Sequence, residues 1–354
     1  MQSLRARQIA AGASLSDENI PLSFHNDTAV KLALQNGAAL YDCSHWGRIQ
    51  LTGEDRLRFL HNQTTNNFTI LQPGQGCDTV FVTPTARTID LVTAYLLPDF
   101  VLLLTSPGYS QRLIEWMDRF IFFSDRVELQ DVTASTAAFS LLGANCDAIL
   151  NLLGASAILG QPAASHQLFH FSNRTFGSFE VRVAVGSGLQ MPGYRLFVQA
   201  EQAEALWKIL VDAGAMPMGE TFWQTLRVEQ GRPLPEQELT DDYNPLEAGL
   251  WHTISLSKGC YIGQETIARL HTYKGVKQQL WGISFPAGSQ IAPGDGVTSG
   301  EDKIGRITSV TQTEAGPFAL AYIRTKAIES AQTVQVGTAE GALVALPFVS
   351  HEYL

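Results

Sequence analysis

Apolar periods of two and of about 3.6 follow one another along the chain without the steady strand, helix, strand rhythm that a parallel sheet requires. An α+β fold built mostly on antiparallel sheets is therefore expected. Helical spacing is present over 53–62, 107–122, 201–213, 220–230 and 264–273. In the second of these, Ser106 reads as the N-cap and Pro107 as the first helical residue, with Leu113, Trp116, Met117 and Phe120 as one apolar stripe. Gly214 and Gly231 stand as stop signals after the third and fourth. Strand-like runs occupy 47–51, 80–82, 91–97, 100–104, 137–142, 179–185 and 194–198.

Beyond about residue 280 the character changes. Short β-rich runs at 280–285, 304–310, 319–323, 333–336 and 343–347 are separated by Gly, Pro and Asp clusters. That pattern predicts a small closed β-barrel over 279–354, following a region 1–278. No internal repeat or low-complexity linker separates them, so packed domains with a ligand cleft between them are expected.

The 354 residues carry a formal charge of −10, which disfavours direct binding to nucleic acid or to an anionic membrane, since both need a basic field. The apolar stretch 91–105 is cut by Pro98 and Asp99 and reads as two buried strands, not a membrane span. Arg5 and Arg7 precede an apolar run too short for a secretory signal, so a cytoplasmic protein is expected, with a cleaved organellar transit peptide as the alternative. Cys43, Cys77, Cys146 and Cys260 form no C-x-x-C pair, which points to reduced thiols and to no metal site. His166 and His170 lie four apart on a strand-like segment and do not share a metal-binding face. The acidic balance is compatible with a monomer.

The densest chemical signal is Lys258-Gly259-Cys260-Tyr261-Ile262-Gly263-Gln264-Glu265. Two glycines bracket a cysteine just ahead of a helix, and a lysine stands two residues upstream. Ammonium charge and helix N–H groups would both stabilise a thiolate there. A buried cysteine in a glycine turn is the alternative. Arg269, Lys274 and Lys277 make the surroundings basic enough to draw an anionic ligand. Trp46 and Trp223 sit beside turn and helix-start chemistry and would suit a flat heteroaromatic ligand, unless they are core residues. Arg227 follows Trp223 at helical i, i+4 spacing, with Glu229 nearby, so this helix could hold an aromatic ring and a carboxylate; a structural ion pair explains Arg227 and Glu229 nearly as well. Asp90 enters an apolar strand, either with a burial-shifted carboxyl or as a cap on the turn after Arg87.

The octapeptide at 258–265 resembles the signature of the YgfZ-type folate-binding proteins, relatives of the glycine-cleavage T-protein, an aminomethyltransferase. Asp42-Cys43-Ser44-His45, Leu226 to Gly231 and Asn244 to Gly249 are similar to wider T-protein patterns, as are Gly296 to Gly300 and Ala319 to Tyr322. The resemblance implies a ring-like T-protein architecture with two interleaved α+β subdomains over 1–278, tetrahydrofolate or a one-carbon derivative as cofactor, and a role in assembling or repairing iron–sulfur proteins, tRNA-modifying enzymes among them. Iron–sulfur client or assembly proteins would then be partners. Carried over residue by residue, it makes Cys260 and Lys258 the functional pair, Trp46 and Trp223 folate-stacking rings, and Asp90 and Arg227 acidic and basic folate-site residues. An aminomethyltransferase of the glycine cleavage system is the alternative. Against it, Met191 stands in Gly188 to Tyr194 where T-proteins have a folate-binding Glu, and Leu91 stands where they have a second Asp. The Cys260 thiol could receive a one-carbon unit, form a mixed disulfide or ligate iron transiently.

Overall fold

The computed structural model describes residues 1–328 and 333–351. The first part of the chain runs α1 (Gln2–Ala10), β1 (Ser14–Leu15), β2 (Pro21–Ser23), α2 (Asp27–Asn36), β3 (Ala39–Asp42), β4 (Trp46–Thr52), α3 (Arg56–Gln63), β5 (Gly76–Val82), β6 (Thr88–Leu96), β7 (Val101–Pro107), α4 (Ser110–Asp118), β8 (Glu128–Asp131), β9 (Thr136–Leu142) and α5 (Cys146–Leu152). It continues with β10 (His166–Asn173), β11 (Gly177–Val185), β12 (Gly193–Gln199), α6 (Ala203–Asp212), β13 (Met216–Met218), α7 (Glu220–Gln230) and α8 (Gln264–Thr272). Last come β14 (Gln278–Ser284), β15 (Gly296–Ser299), β16 (Asp302–Thr313), β17 (Gly316–Arg324), α9 (Thr325–Ile328), β18 (Thr333–Val336) and β19 (Ala339–Val344).

These elements gather into two compact units, each made of three chain segments. The first comprises Met1–Phe59, Thr69–Cys77 and Thr93–Trp223; the second comprises Leu60–Phe68, Asp78–Val92 and Gln224–Leu354. The barrel expected from residue 279 begins at Gln278 but lies inside the second unit, whose last segment starts earlier, at Gln224.

In the first unit a six-stranded sheet has the order β10-β11-β12-β9-β3-β13, antiparallel except for the β3/β13 pair. Alternation along β11 turns Phe179, Val181 and Val183 into a core shared with Leu196, Phe139 and the inner face of α6. β4 pairs with β7 on one side and β8 on the other. The helix expected from Pro107 begins instead at Ser110, because Ser106 and Pro107 prolong β7 and Pro107 pairs opposite Trp46. Leu113 and Met117 still form its buried stripe.

In the second unit β14-β17-β16-β15-β18-β19 close into a barrel, since β14 pairs with both β17 and β19. Ile283, Val297, Ile307, Ala321 and Val334 fill its interior. The α+β class and the C-terminal β-barrel expected from the sequence are both present.

Candidate functional site

In the second unit the octapeptide forms a loop stapled to the C-terminal end of α3. The Lys258 ammonium donates to the carbonyl oxygens of His61, Thr64 and Asn66, the middle one at 2.7 Å. The Ile262 N–H donates to the Asn62 carbonyl at 2.9 Å. A helix C-terminus offers orphan carbonyls carrying partial negative charge, so a buried cation fits there. Tyr261 closes over the ammonium, with its ring centroid 4.6 Å from Nζ. Its ring packs with Ala86, Trp251 and Ile267, and burial pushes its hydroxyl up to about 12. Gly263 then caps α8 with φ 81°, and a Cβ there would come within 2.9 Å of the Thr83 carbonyl oxygen. Only glycine meets both conditions. Gln264 and Glu265 form the first turn of α8, so the acid of the motif faces the positive end of the helix dipole.

This geometry reassigns Lys258. The sequence makes it a partner of the thiol, but its three ammonium protons have carbonyl acceptors and its side chain is buried, so it positions the loop. Cys260 itself is exposed, as is Gly259, which excludes the buried-thiol alternative. His61 was not foreseen. Its Nε2 lies 3.7 Å from where a Gly259 Cβ would stand, and its Nδ1 is buried with no hydrogen-bond partner. Burial, then the Lys258 charge, holds this imidazole below its ordinary value, so it is neutral beside the thiol loop near neutral pH. Nothing in its local sequence marks it.

Arg227 also departs from its expected role. Its Nε donates to Gln224 at 2.9 Å, Nη1 to Glu238 at 3.0 Å, and Nη2 to Ser309 at 3.0 Å and to Gln237. Glu238 is completely buried and also accepts from Thr308 and from the Leu234 N–H. This is a buried ion-pair network in which four of the five guanidinium N–H groups have acceptors, so the two-pronged edges that would grip a carboxylate ligand are already taken. Glu229 is half-buried on the same helix, and Asp90 is buried in β6.

In the first unit Trp46 and Trp223 do meet, but with each other: their centroids are 5.1 Å apart and their planes nearly perpendicular. Tyr41 stacks on Trp223 at 5.3 Å, and the Arg195 guanidinium lies 5.4 Å from the Trp46 centroid. Both indoles are 2% exposed, so neither presents an open face for stacking a ligand. They are core residues. The Trp46 Nε1–H donates to the Tyr41 hydroxyl, which donates in turn to Glu220. Arg195 is the residue the sequence did not single out. It is 3% exposed, it passes against Gly188, and its Nε and Nη1 have no hydrogen-bond partner. Buried unsatisfied guanidinium N–H groups are costly, so this is a place where an acceptor would be stabilising. Cys43, nearby in this unit, is kept a thiol by burial, which pushes it up to about 11.

Among the described residues no group of three or more His, Cys, Asp or Glu side chains could hold a metal ion, and no helix is long and apolar enough to cross a membrane.

Residues 19–258 match the family model described as the GCVT N-terminal domain, the match ending at Lys258. A chloroplastic protein of Arabidopsis thaliana, named "Putative transferase At1g60990", is 44% identical over 346 residues, covering 97% of this chain and 78% of that protein. An aminomethyltransferase of Chlorobium chlorochromatii is 30% identical over 302 residues, covering 82% of this chain and 80% of the other. The crystal structure of the glycine cleavage system aminomethyltransferase T from Bartonella henselae superposes with a TM-score of 0.81 at 20% identity, covering 99% of this chain and 98% of that one. The chain therefore belongs to the GCVT N-terminal domain family and has the aminomethyltransferase-like fold.

Proposed function

We propose that this protein is a tetrahydrofolate-binding member of its family, of the YgfZ type, that supports the assembly or repair of iron–sulfur proteins through Cys260. The observation that carries the reading is the exposed Cys260 on a loop fixed by the three-carbonyl clamp of Lys258. A thiol held on a rigid, Gly-flanked loop suits attack by or upon a partner protein, the partner in turn being an iron–sulfur client or assembly protein.

Of the side chains nominated for folate by the sequence, the two indoles are closed and Arg227 already donates to Gln224, Gln237, Glu238 and Ser309. Arg195 is as buried as the indoles, at 3% exposed, but keeps two donors without an acceptor: its Nε–H and Nη1–H suit a carbonyl or carboxylate oxygen, both of which tetrahydrofolate carries. Tetrahydrofolate, when bound, supplies a one-carbon carrier; the chain's own residues bind and orient, with the neutral His61 beside the thiol loop as a proton acceptor.

The test is calorimetric titration of tetrahydrofolate under reducing conditions into wild type, Arg195→Gln and Cys260→Ala, followed by iron–sulfur enzyme assays in a depleted strain. Wild type and Cys260→Ala should bind alike, Arg195→Gln should bind at least about tenfold more weakly, and Cys260→Ala should fail to restore the enzymes. No binding by wild type ends the folate part, and full rescue by Cys260→Ala ends the thiol part.

The names of several relatives favour a second reading, an aminomethyltransferase. It predicts ammonia release and methylene-tetrahydrofolate formation from an aminomethylated lipoyl carrier; no turnover dismisses it.

A further inference from the structure

On the face of the six-stranded sheet opposite its core, the first unit has a recess of about 340 Å³, within the ~300–1,000 Å³ range of small-molecule pockets. Strand register explains its floor. Arg182 of β11 lies directly across from Leu168 of β10 and from Phe197 of β12, so a guanidinium sits in a row between two apolar side chains. Leu97, Phe100 and Leu102 add further apolar wall.

The state of Arg182 is unusual. It is half-buried, and among the described residues it has no carboxylate within ion-pair distance. Its one hydrogen bond runs from Nη1 to His166 Nδ1 at 3.0 Å. His166 is fixed for that role: its Nε2–H donates to the Leu96 carbonyl at 3.0 Å, and burial, then the Arg182 charge, drops the imidazole to about 4. It is therefore a neutral acceptor that orients the guanidinium without sharing its charge. Glu180 also lines the recess, but its carboxylate lies 3.4 Å from His170, and both those side chains are more than 60% exposed. A partly desolvated cation with spare N–H donors beside an apolar hollow matches one chemistry, a monoanionic head on an apolar body. With one guanidinium and Glu180 close by, a polyanion such as a phosphate ester is disfavoured.

We propose that this recess binds a small organic carboxylate, with the carboxylate on Arg182 and the apolar body against Leu168, Phe197 and Phe100. The site is independent of folate and of Cys260.

The experiment is calorimetric titration of the full chain with 2-naphthoate and with its neutral isostere 2-naphthamide. The carboxylate should bind, and the amide at least about tenfold more weakly, the difference of one charge-assisted pair. Arg182→Met should abolish that preference, and Leu168→Trp, at a position 40% exposed where the fold tolerates bulk, should block both ligands. Equal binding of acid and amide to wild type overturns the proposal, as does unchanged binding by Leu168→Trp, or no heat from wild type at about 5 mM naphthoate, beyond the weak end of specific affinity.

Discussion

Lys258 and Arg227 are two buried cations of the second unit, solved in opposite ways. Lys258 meets backbone carbonyls, Arg227 a buried carboxylate and three side chains that support it. Removing either leaves acceptors stranded. Lys258→Met should cost about 3 kcal/mol in urea denaturation and change the rate at which maleimide labels Cys260. Lys258→Arg should not restore either, because a planar fork cannot converge on carbonyls grouped around one ammonium. Arg227→Ala should cost about 3–5 kcal/mol through the uncompensated Glu238, and the double variant Arg227→Ala/Glu238→Ala should recover part of that loss. A purely ligand-binding Arg227 would instead leave the denaturation midpoint unchanged. The thiol loop was legible in the sequence because its glycines, lysine and cysteine are contiguous. The roles of Lys258 and His61 were not, since the acceptors lie more than 190 positions earlier and are backbone atoms, which no side-chain pattern announces.

Among the elements, α7 and four of the barrel strands, β14, β16, β17 and β18, stand where their periodicity puts them, whereas β15 (Gly296–Ser299) is too short and Gly-flanked to show a period and β19 ends at Val344, with only its last two residues inside the expected 343–347. α1 was invisible: Leu4 and Gln8 are its only buried side chains, too few for a stripe. The start of α4 was misplaced because proline suits both a first helical turn and the end of a strand. The turn-like local sequence of Trp46 and Trp223 leaves ligand platform and core both open; the structure decides for the core, with Tyr41 stacked on Trp223 and Arg195 over Trp46. The capping glycine of α8 gives the sharpest test at this scale. Gly263→Ala combines a φ of 81° with a Cβ 2.9 Å from the Thr83 oxygen, so it should cost about 1–3 kcal/mol and lower the helical signal on thermal melting. An unchanged melt would mean the loop has room to shift.

For the molecule as a whole, acid should be the destabilising direction. Burial drops His166 and His351 to about 4, and the stacked Trp281 ring, 4.7 Å away, keeps His351 dry. Unfolding lets both imidazoles return to about 6.5, so the unfolded chain binds more protons between those values. Stability is therefore complete above about pH 6.5 and declines as pH falls toward 4. Urea midpoints at neutral and mildly acidic pH should show that decline, and His351→Phe should flatten it; a midpoint that does not move over this window contradicts the burial of both rings. Neither the pairing of distant segments nor the three-piece make-up of each unit was legible in local patterns. That make-up also sets an order of events on the ribosome. Residues 60–68 and 78–92 emerge early, yet the rest of their unit begins only at Gln224. At ~5–20 residues per second the nascent chain waits on the order of ten seconds or more before those segments can complete a core. During that interval apolar side chains such as Val80, Val82 and Leu91 have no finished partner, which makes the half-made chain a natural client for a holdase chaperone.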